Sequence, residues 1–296
     1  MQFADPKNDL AFKKIFGDEN HKEILISFLN AILDFQGNRI IVDVTLVNPE
    51  QVPKIEEMKF TILDMLVINK NGERFIVEMQ KRDNYDFTKR SLYYTSKAYI
   101  QQLGKKESYD TLKKVYFIGL LNFNMFDNID YVSRHLILNK ETLKNDIKDF
   151  EFTFIELNKF QKELGELTNT LDKWVYFLKN APKLDMIPKE YENHKEFEEA
   201  FLIATKYNWT TKEMDVYDWV EKKERDATSE KSTAQRRLEE AEQKGKAEGK
   251  AEGKAEGEQQ AKIEIAKNAI LQGLDNTTIS LVTGLSPDTI ESLRKR

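Results

Sequence analysis

The chain has 296 residues, with 46 lysines and arginines against 51 aspartates and glutamates, three histidines and no cysteine. This length allows one large domain with appendages or two domains. The lack of cysteine excludes disulfides and zinc-thiolate sites, and His21, His135 and His194 show no ligand spacing. The net charge of −5 gives no global attraction to nucleic acid, so DNA contacts would need local basic patches. No apolar run approaches the roughly 20 residues that span a bilayer, and the first residues lack an apolar signal core. A soluble cytoplasmic protein without a membrane partner is expected.

Residues 8–33 carry apolar side chains at helical spacing interrupted by Gly17, which predicts two helices or one broken helix. Residues 40–47 (IIVDVTLV) alternate β-branched positions with Asp43 and Thr45 and predict a strand.

Residues 59–80 (KFTILDMLVINKNGERFIVEMQ) follow, two apolar runs around Asn71-Gly72, a hairpin signal. A three-residue loop of Lys70, Asn71 and left-handed Gly72 puts Asp64 directly opposite Glu78, with Cβ atoms roughly 5 Å apart. Gln80 points to the same side as Glu78. Two like charges so close destabilise a sheet, and a divalent cation is the simplest reason to keep them. Hard oxygen donors suit Mg²⁺ or Mn²⁺. A two-residue loop would shift the register by one and leave two solvated carboxylates, so both readings stand at this point.

Residues 87–103 predict a helix with Leu92, Tyr99 and Leu103 toward the core and Arg90, Tyr94, Lys97 and Gln101 on the opposite face. Residues 115–121 (VYFIGLL) read as a strand buried on both faces, and residues 152–157 as another. Helix, three strands, helix, strand implies a mixed sheet with packed helices, in the α/β class. Residues 167–224 turn helical, with aromatic stripes at Trp174 to Phe177, Phe197, Phe201, Tyr207, Tyr217 and Trp219 that are expected to be core.

Near Arg225 the composition becomes charged and almost free of large apolar residues. Gly-Lys-Ala-Glu recurs from Gly245, setting lysine over lysine and glutamate over glutamate at i,i+4. Each interior glycine costs about 1 kcal/mol relative to alanine. A solvated spacer is expected; close pairing of two copies through the small residues is the other reading. Residues 263–296 show a stripe of Ile263, Ala266, Ile270 and Leu271, a short helix at 277–282, a Gly284 turn, and a Ser286-Pro287 helix start. This is a helix-turn-helix outline. Either Asp288, Thr289, Ser292 and Arg294 approach DNA with Arg294, Lys295 and Arg296 on phosphate, or the unit is a helical cap or oligomerisation knob.

Asp64, then Glu78-Met79-Gln80, with NDLAFKKIFG near the start and RSLYY after the hairpin, resembles the PD-(D/E)XK nuclease family transposases, also called recombination-promoting nucleases. The likeness covers most of residues 5–220, and the charged linker with its short helical end is similar to tails of such proteins. The resemblance implies a restriction-endonuclease-like αβββαβ core over residues 1–160, a helical extension over 161–224, a linker over 225–262 and a C-terminal unit over 263–296. It implies a DNA endonuclease using Mg²⁺ or Mn²⁺ and linked to recombination or transposition. Asp64 matches the metal-binding aspartate, Glu78 the second acidic ligand, and Gln80 the position where the wider superfamily has lysine. Asp9 is a weaker match to an acidic residue on the first helix. On this reading Asp64, Glu78 and the Met79 backbone carbonyl hold the metal and Gln80 positions the attacking water. Arg90, Tyr94 and Lys97 hold DNA through its phosphates. The alternative is a non-catalytic DNA-binding or self-associating module, a possible homo-oligomer, working through the C-terminal unit.

Overall fold

The computed structural model describes all residues except 1, 52–60, 84–85, 105 and 296, so Lys59 and Phe60 of the predicted hairpin stretch and Arg296 lie outside the described residues. Asn8 opens helix α1 (Asp9–Phe16) by accepting hydrogen bonds from the backbone N–H groups of Leu10 and Ala11. The chain breaks at Gly17 as predicted, and α2 (Lys22–Leu33) ends at Asp34 in the left-handed conformation.

Strands β1 (Val44–Val47), β2 (Glu50–Gln51), β3 (Thr61–Ile62), β4 (Met65–Asn69) and β5 (Arg74–Gln80) come next, then helix α3 (Phe87–Ile100). After it lie β6 (Val115–Leu121), β7 (Val132–Leu136) and β8 (Phe150–Glu156). Six strands form one sheet in the order β1-β4-β5-β6-β8-β7, and β2 and β3 pair separately. The β1, β4 and β5 neighbours are antiparallel, β5, β6 and β8 run parallel, and β7 returns antiparallel to β8. The sheet is mixed, as expected of this α/β fold. Strand β7 has no counterpart in the sequence reading, because VSRHL at a half-exposed edge carries little apolar signal.

Alternation along the strands splits the core in two. Val67, Phe75, Val77, Tyr116 and Ile118 join α1, α2, α4 (Thr170–Asn180) and α5 (Lys195–Ala204) in one cluster containing Phe16, Phe28, Trp174, Phe197 and Phe201. On the opposite face Leu66, Ile76, Phe117, Phe152 and Phe154 pack with Phe87 and Ala98 of α3. The aromatic stripes are core there, but Tyr207 and Trp219 are exposed.

Helix α3 keeps Tyr99 against the second of these clusters as predicted but is otherwise rotated from the predicted orientation. Leu92 is 56% exposed, while Ser91, Thr95, Lys97 and Ala98 are buried. The cause is close approach: a Cβ on Gly119 of β6 would lie 2.7 Å from Phe154 and 3.3 Å from Phe87. The missing Cβ leaves room for the Phe87 ring at the start of α3, and the Ser91 and Thr95 hydroxyls donate to the carbonyls of Thr88 and Ser91.

Helix α6 runs from Thr211 to Leu271 without a break, through the segment expected to be a solvated spacer. Its first turns are anchored, with Trp209, Met214 and Tyr217 packed against Ala4, Leu10 and Ala11. Further along, Glu242–Lys246, Lys244–Glu248 and Lys254–Glu258 pair at the rims of the repeat. Helix growth from existing turns avoids the nucleation cost that makes isolated helices marginal, and the rim pairs offset part of the glycine penalty.

The chain forms two compact units, residues 1–222 and 223–296. Within the second, α7 (Asn276–Thr283) and α8 (Pro287–Arg294) close on Ala266, Ile279, Leu285 and Ile290. Ser286 caps α8 with proline at its first turn, as predicted. Leu271, expected in the stripe, is exposed. Arg294 donates to Asn276 Oδ1 at 2.7 Å and to the Leu274 carbonyl, and its exposed guanidinium keeps N–H groups that these bonds do not use.

Candidate active site

The hairpin turns through Lys70, Asn71 and Gly72, the last at φ 79°. The Asn69 N–H donates to the Glu73 carbonyl at 3.1 Å across it. Met65 pairs with Val77 and Ile68 with Arg74. Continued one step, that register brings Asp64 to Glu78 as predicted, and here the strands splay. Leu63 donates instead to the Pro49 carbonyl, and the side chains replace the ladder. The Asp64 N–H donates to Glu78 Oε1 at 3.1 Å, and the Met79 N–H donates to Asp64 Oδ2 at 2.8 Å. The two carboxylates are therefore held by one another's strands.

Residues 74 and 80 bond on the β6 side, Arg74 N–H donating to the Lys114 carbonyl just before β6 and Gln80 accepting from the Asn122 N–H just after it. By alternation the backbone groups of Met79 face β4, on the edge where Asp64 lies. Glu78 neighbours Gly119 on the α3 face of the sheet. Gln80 Nε2 donates to Glu78 Oε2 at 3.3 Å, and Arg90 Nη2 donates to Gln80 Oε1 at 3.1 Å.

Glu78 is 3% exposed. Burial first, and then the Asp64 charge, push its carboxyl up to about 8. The less covered Asp64 is pushed up to about 6, again by burial first, opposed by the Met79 N–H and with the Asp9 charge adding to the rise. Asp9 itself is exposed and paired with Lys13 at 2.8 Å, so only its field reaches the pair. Among the described residues no three carboxylate or histidine side chains cluster closely enough to hold a metal ion. Two hard carboxylates, each retaining an oxygen not bound to backbone, suit a cation that keeps much of its water and takes phosphate oxygens, as Mg²⁺ does.

Residues 6–234 match the family model described as PD-(D/E)XK nuclease family transposase. The chain belongs to this family. The α/β fold with its mixed six-stranded sheet and C-terminal helical extension is that of a PD-(D/E)XK nuclease domain. A second model, described as the C-terminal HTH domain of the Rpn/YhgA-like nuclease family, matches residues 259–295. No curated protein and no solved structure matches the chain.

Asp64, Glu78 and Gln80, the residues singled out in the sequence, stand together, and Arg90 joins them from the first turn of α3. Tyr94 lies beside Arg90, its ring 5.9 Å from the guanidinium carbon. Lys97 was expected on an exposed face, but it is 4% exposed, with Nζ 5.9 Å from the Tyr93 ring. The rotation of α3 over Gly119 carries it inward, away from the exposed face that a direct phosphate contact needs. Sequence reasoning also missed the Arg90–Gln80 bond. The available signal was Gly119 inside an apolar strand together with Ser91, Thr95 and Ala98 at helical spacing, which marks the buried face of α3.

Proposed function

We propose that this chain is a metal-dependent DNA endonuclease that hydrolyses phosphodiester bonds in recombination or transposition. The observation that carries it is the Asp64–Glu78 pair: two carboxylates are brought together inside the protein at an electrostatic cost, fixed by backbone donors, beside a polar amide. Structural residues seldom keep such a pair without a counter-ion. In this reading residues 1–160 are the catalytic core, 161–224 a helical extension, 225–262 a spacer and 263–296 the unit that retains DNA.

Asp64, Glu78 and the Met79 carbonyl would hold Mg²⁺ or Mn²⁺, with the Asp9 field adding negative potential. Bound there, such a cation supplies Lewis acidity toward a phosphate oxygen and makes a coordinated water acidic. The protein's own groups do the rest. Asp64 and Glu78 enter as carboxylates once the cation offsets the burial that holds their protons. Gln80 has a second Nε2 hydrogen to orient the attacking water. Tyr94, half-buried beside the site, can donate its hydroxyl to the DNA backbone, a contact that positions without reading sequence.

The test is Mg²⁺-supported cleavage of supercoiled plasmid by the full chain and by Asp64→Ala, side by side. Cutting by the wild type and loss of at least 100-fold in the variant is expected, since the cation loses its main ligand. Equal cutting by both would assign the activity elsewhere. A folded wild-type chain that binds but never cuts DNA with Mg²⁺ or Mn²⁺ would favour the non-catalytic module, for which the helix-turn-helix match is the supporting observation.

A further inference from the structure

We propose that Arg90 is a positioning residue that fixes the amide orientation of Gln80, so that Nε2 faces Glu78 and the reacting side of the site. The inference deepens the nuclease reading and rests on it for its catalytic consequence.

An arginine only donates hydrogen bonds. The bond from Arg90 Nη2 to Gln80 at 3.1 Å therefore selects the amide oxygen for the α3 side, and the amide nitrogen must face Glu78 Oε2, 3.3 Å away. Without Arg90 the two ends of that amide are nearly equivalent in shape, and a flipped Gln80 would set its oxygen against the ionised Glu78 carboxylate, the form that binds a cation. The guanidinium is itself confined, with its carbon 5.2 Å from the Phe87 ring centre and 5.9 Å from that of Tyr94. Its Nε is buried without a hydrogen-bond partner among the described residues. A buried donor left unpaired is costly. Its retention fits a side chain placed for what Nη2 holds rather than for its own satisfaction. Arg90 issues from the turn of α3 that begins with Phe87, whose ring lies 3.3 Å from where a Cβ on Gly119 would stand beside Glu78, so one helix packs the site and supplies its latch.

Two readouts on the full chain test this. In nitrogen-proton spectra the Gln80 side-chain amide is expected to be shifted and slow to rotate in the wild type. In Arg90→Gln it should collapse toward free-glutamine positions. An unchanged Gln80 amide overturns the proposal, whether or not the protein cuts DNA. In single-turnover plasmid cleavage with Mn²⁺, Arg90→Gln and Gln80→Ala should each lose roughly ten- to hundredfold, and the double variant no more than the worse single. Losses that multiply overturn it, because they would make the two residues independent. A wild-type chain that does not cut fails the nuclease reading alone, and the amide spectra then decide this one. Arg90→Met keeps the stem against Phe87 without a donor and is read in the same way if Arg90→Gln does not fold.

Discussion

Asp64 and Glu78 are each more easily protonated in the folded chain than in the unfolded one, because burial disfavours both anions, the Asp64 charge adds to the rise at Glu78 and the Asp9 charge to that at Asp64. Folding without metal therefore takes up protons. The stability this brings is complete below the unfolded carboxylate range near 4 and is lost as pH rises through about 6 and about 8. Glu78→Gln removes the larger share. Thermal melts of the metal-free protein are expected to show this variant gaining on the wild type as pH rises from about 5 to about 9. A difference that stays constant over that range would mean that Glu78 is not held protonated.

Among the elements, α3 and α6 depart furthest from what their sequences suggest. The seat of α3 depends on Gly119, where a methyl group would meet Phe154 at 2.7 Å. Gly119→Ala is expected to cost about 1–3 kcal/mol in chemical denaturation, as overpacked cores do, and to lower cleavage more than stability alone explains by moving Arg90 off Gln80. Stability equal to the wild type would show that α3 has room to spare. In α6 the repeat glycines behave oppositely, since nothing lies within 4 Å of a Cβ at Gly249 or Gly253. Alanine at each should stabilise the helix by about 1 kcal/mol and raise the temperature at which its far-ultraviolet helix signal is lost. No rise in that temperature would mean that the segment is not helical in solution.

For the whole molecule, the two units differ in how much core they own. Residues 1–222 bury two aromatic-rich clusters on the two faces of a sheet, whereas the second unit closes on Ala266, Ile279, Leu285 and Ile290. Ile290→Ala should cost about 2–5 kcal/mol, enough to unfold a unit of that size while the larger unit melts as before. Calorimetry should then show the weaker transition lost and the stronger one unmoved. A uniform downward shift of one transition would mean that the units melt as one. A chain ending near residue 224 that still cuts DNA but retains it poorly would assign retention to the tail.

Local chemistry was enough to reveal the hairpin. Asn71-Gly72 supplies the left-handed turn, the turn sets the register, and the register makes neighbours of Asp64 and Glu78 whatever surrounds them. The break at Gly17, the doubly buried β6 and the Ser286-Pro287 helix start are of the same kind, decided by a few adjacent residues. What adjacent residues do not encode is which side of an amphiphilic helix meets the sheet. Helix α3 offers Leu92 and Ile100 on one side and Ser91, Thr95 and Ala98 on another, and hydrophobicity alone favours the first. Gly119 reverses the choice, because the missing Cβ there makes room for the Phe87 ring of α3 and the Phe154 ring of β8. That choice buries Lys97, carries Arg90 to Gln80, and turns two repelling carboxylates with an amide into an ordered site.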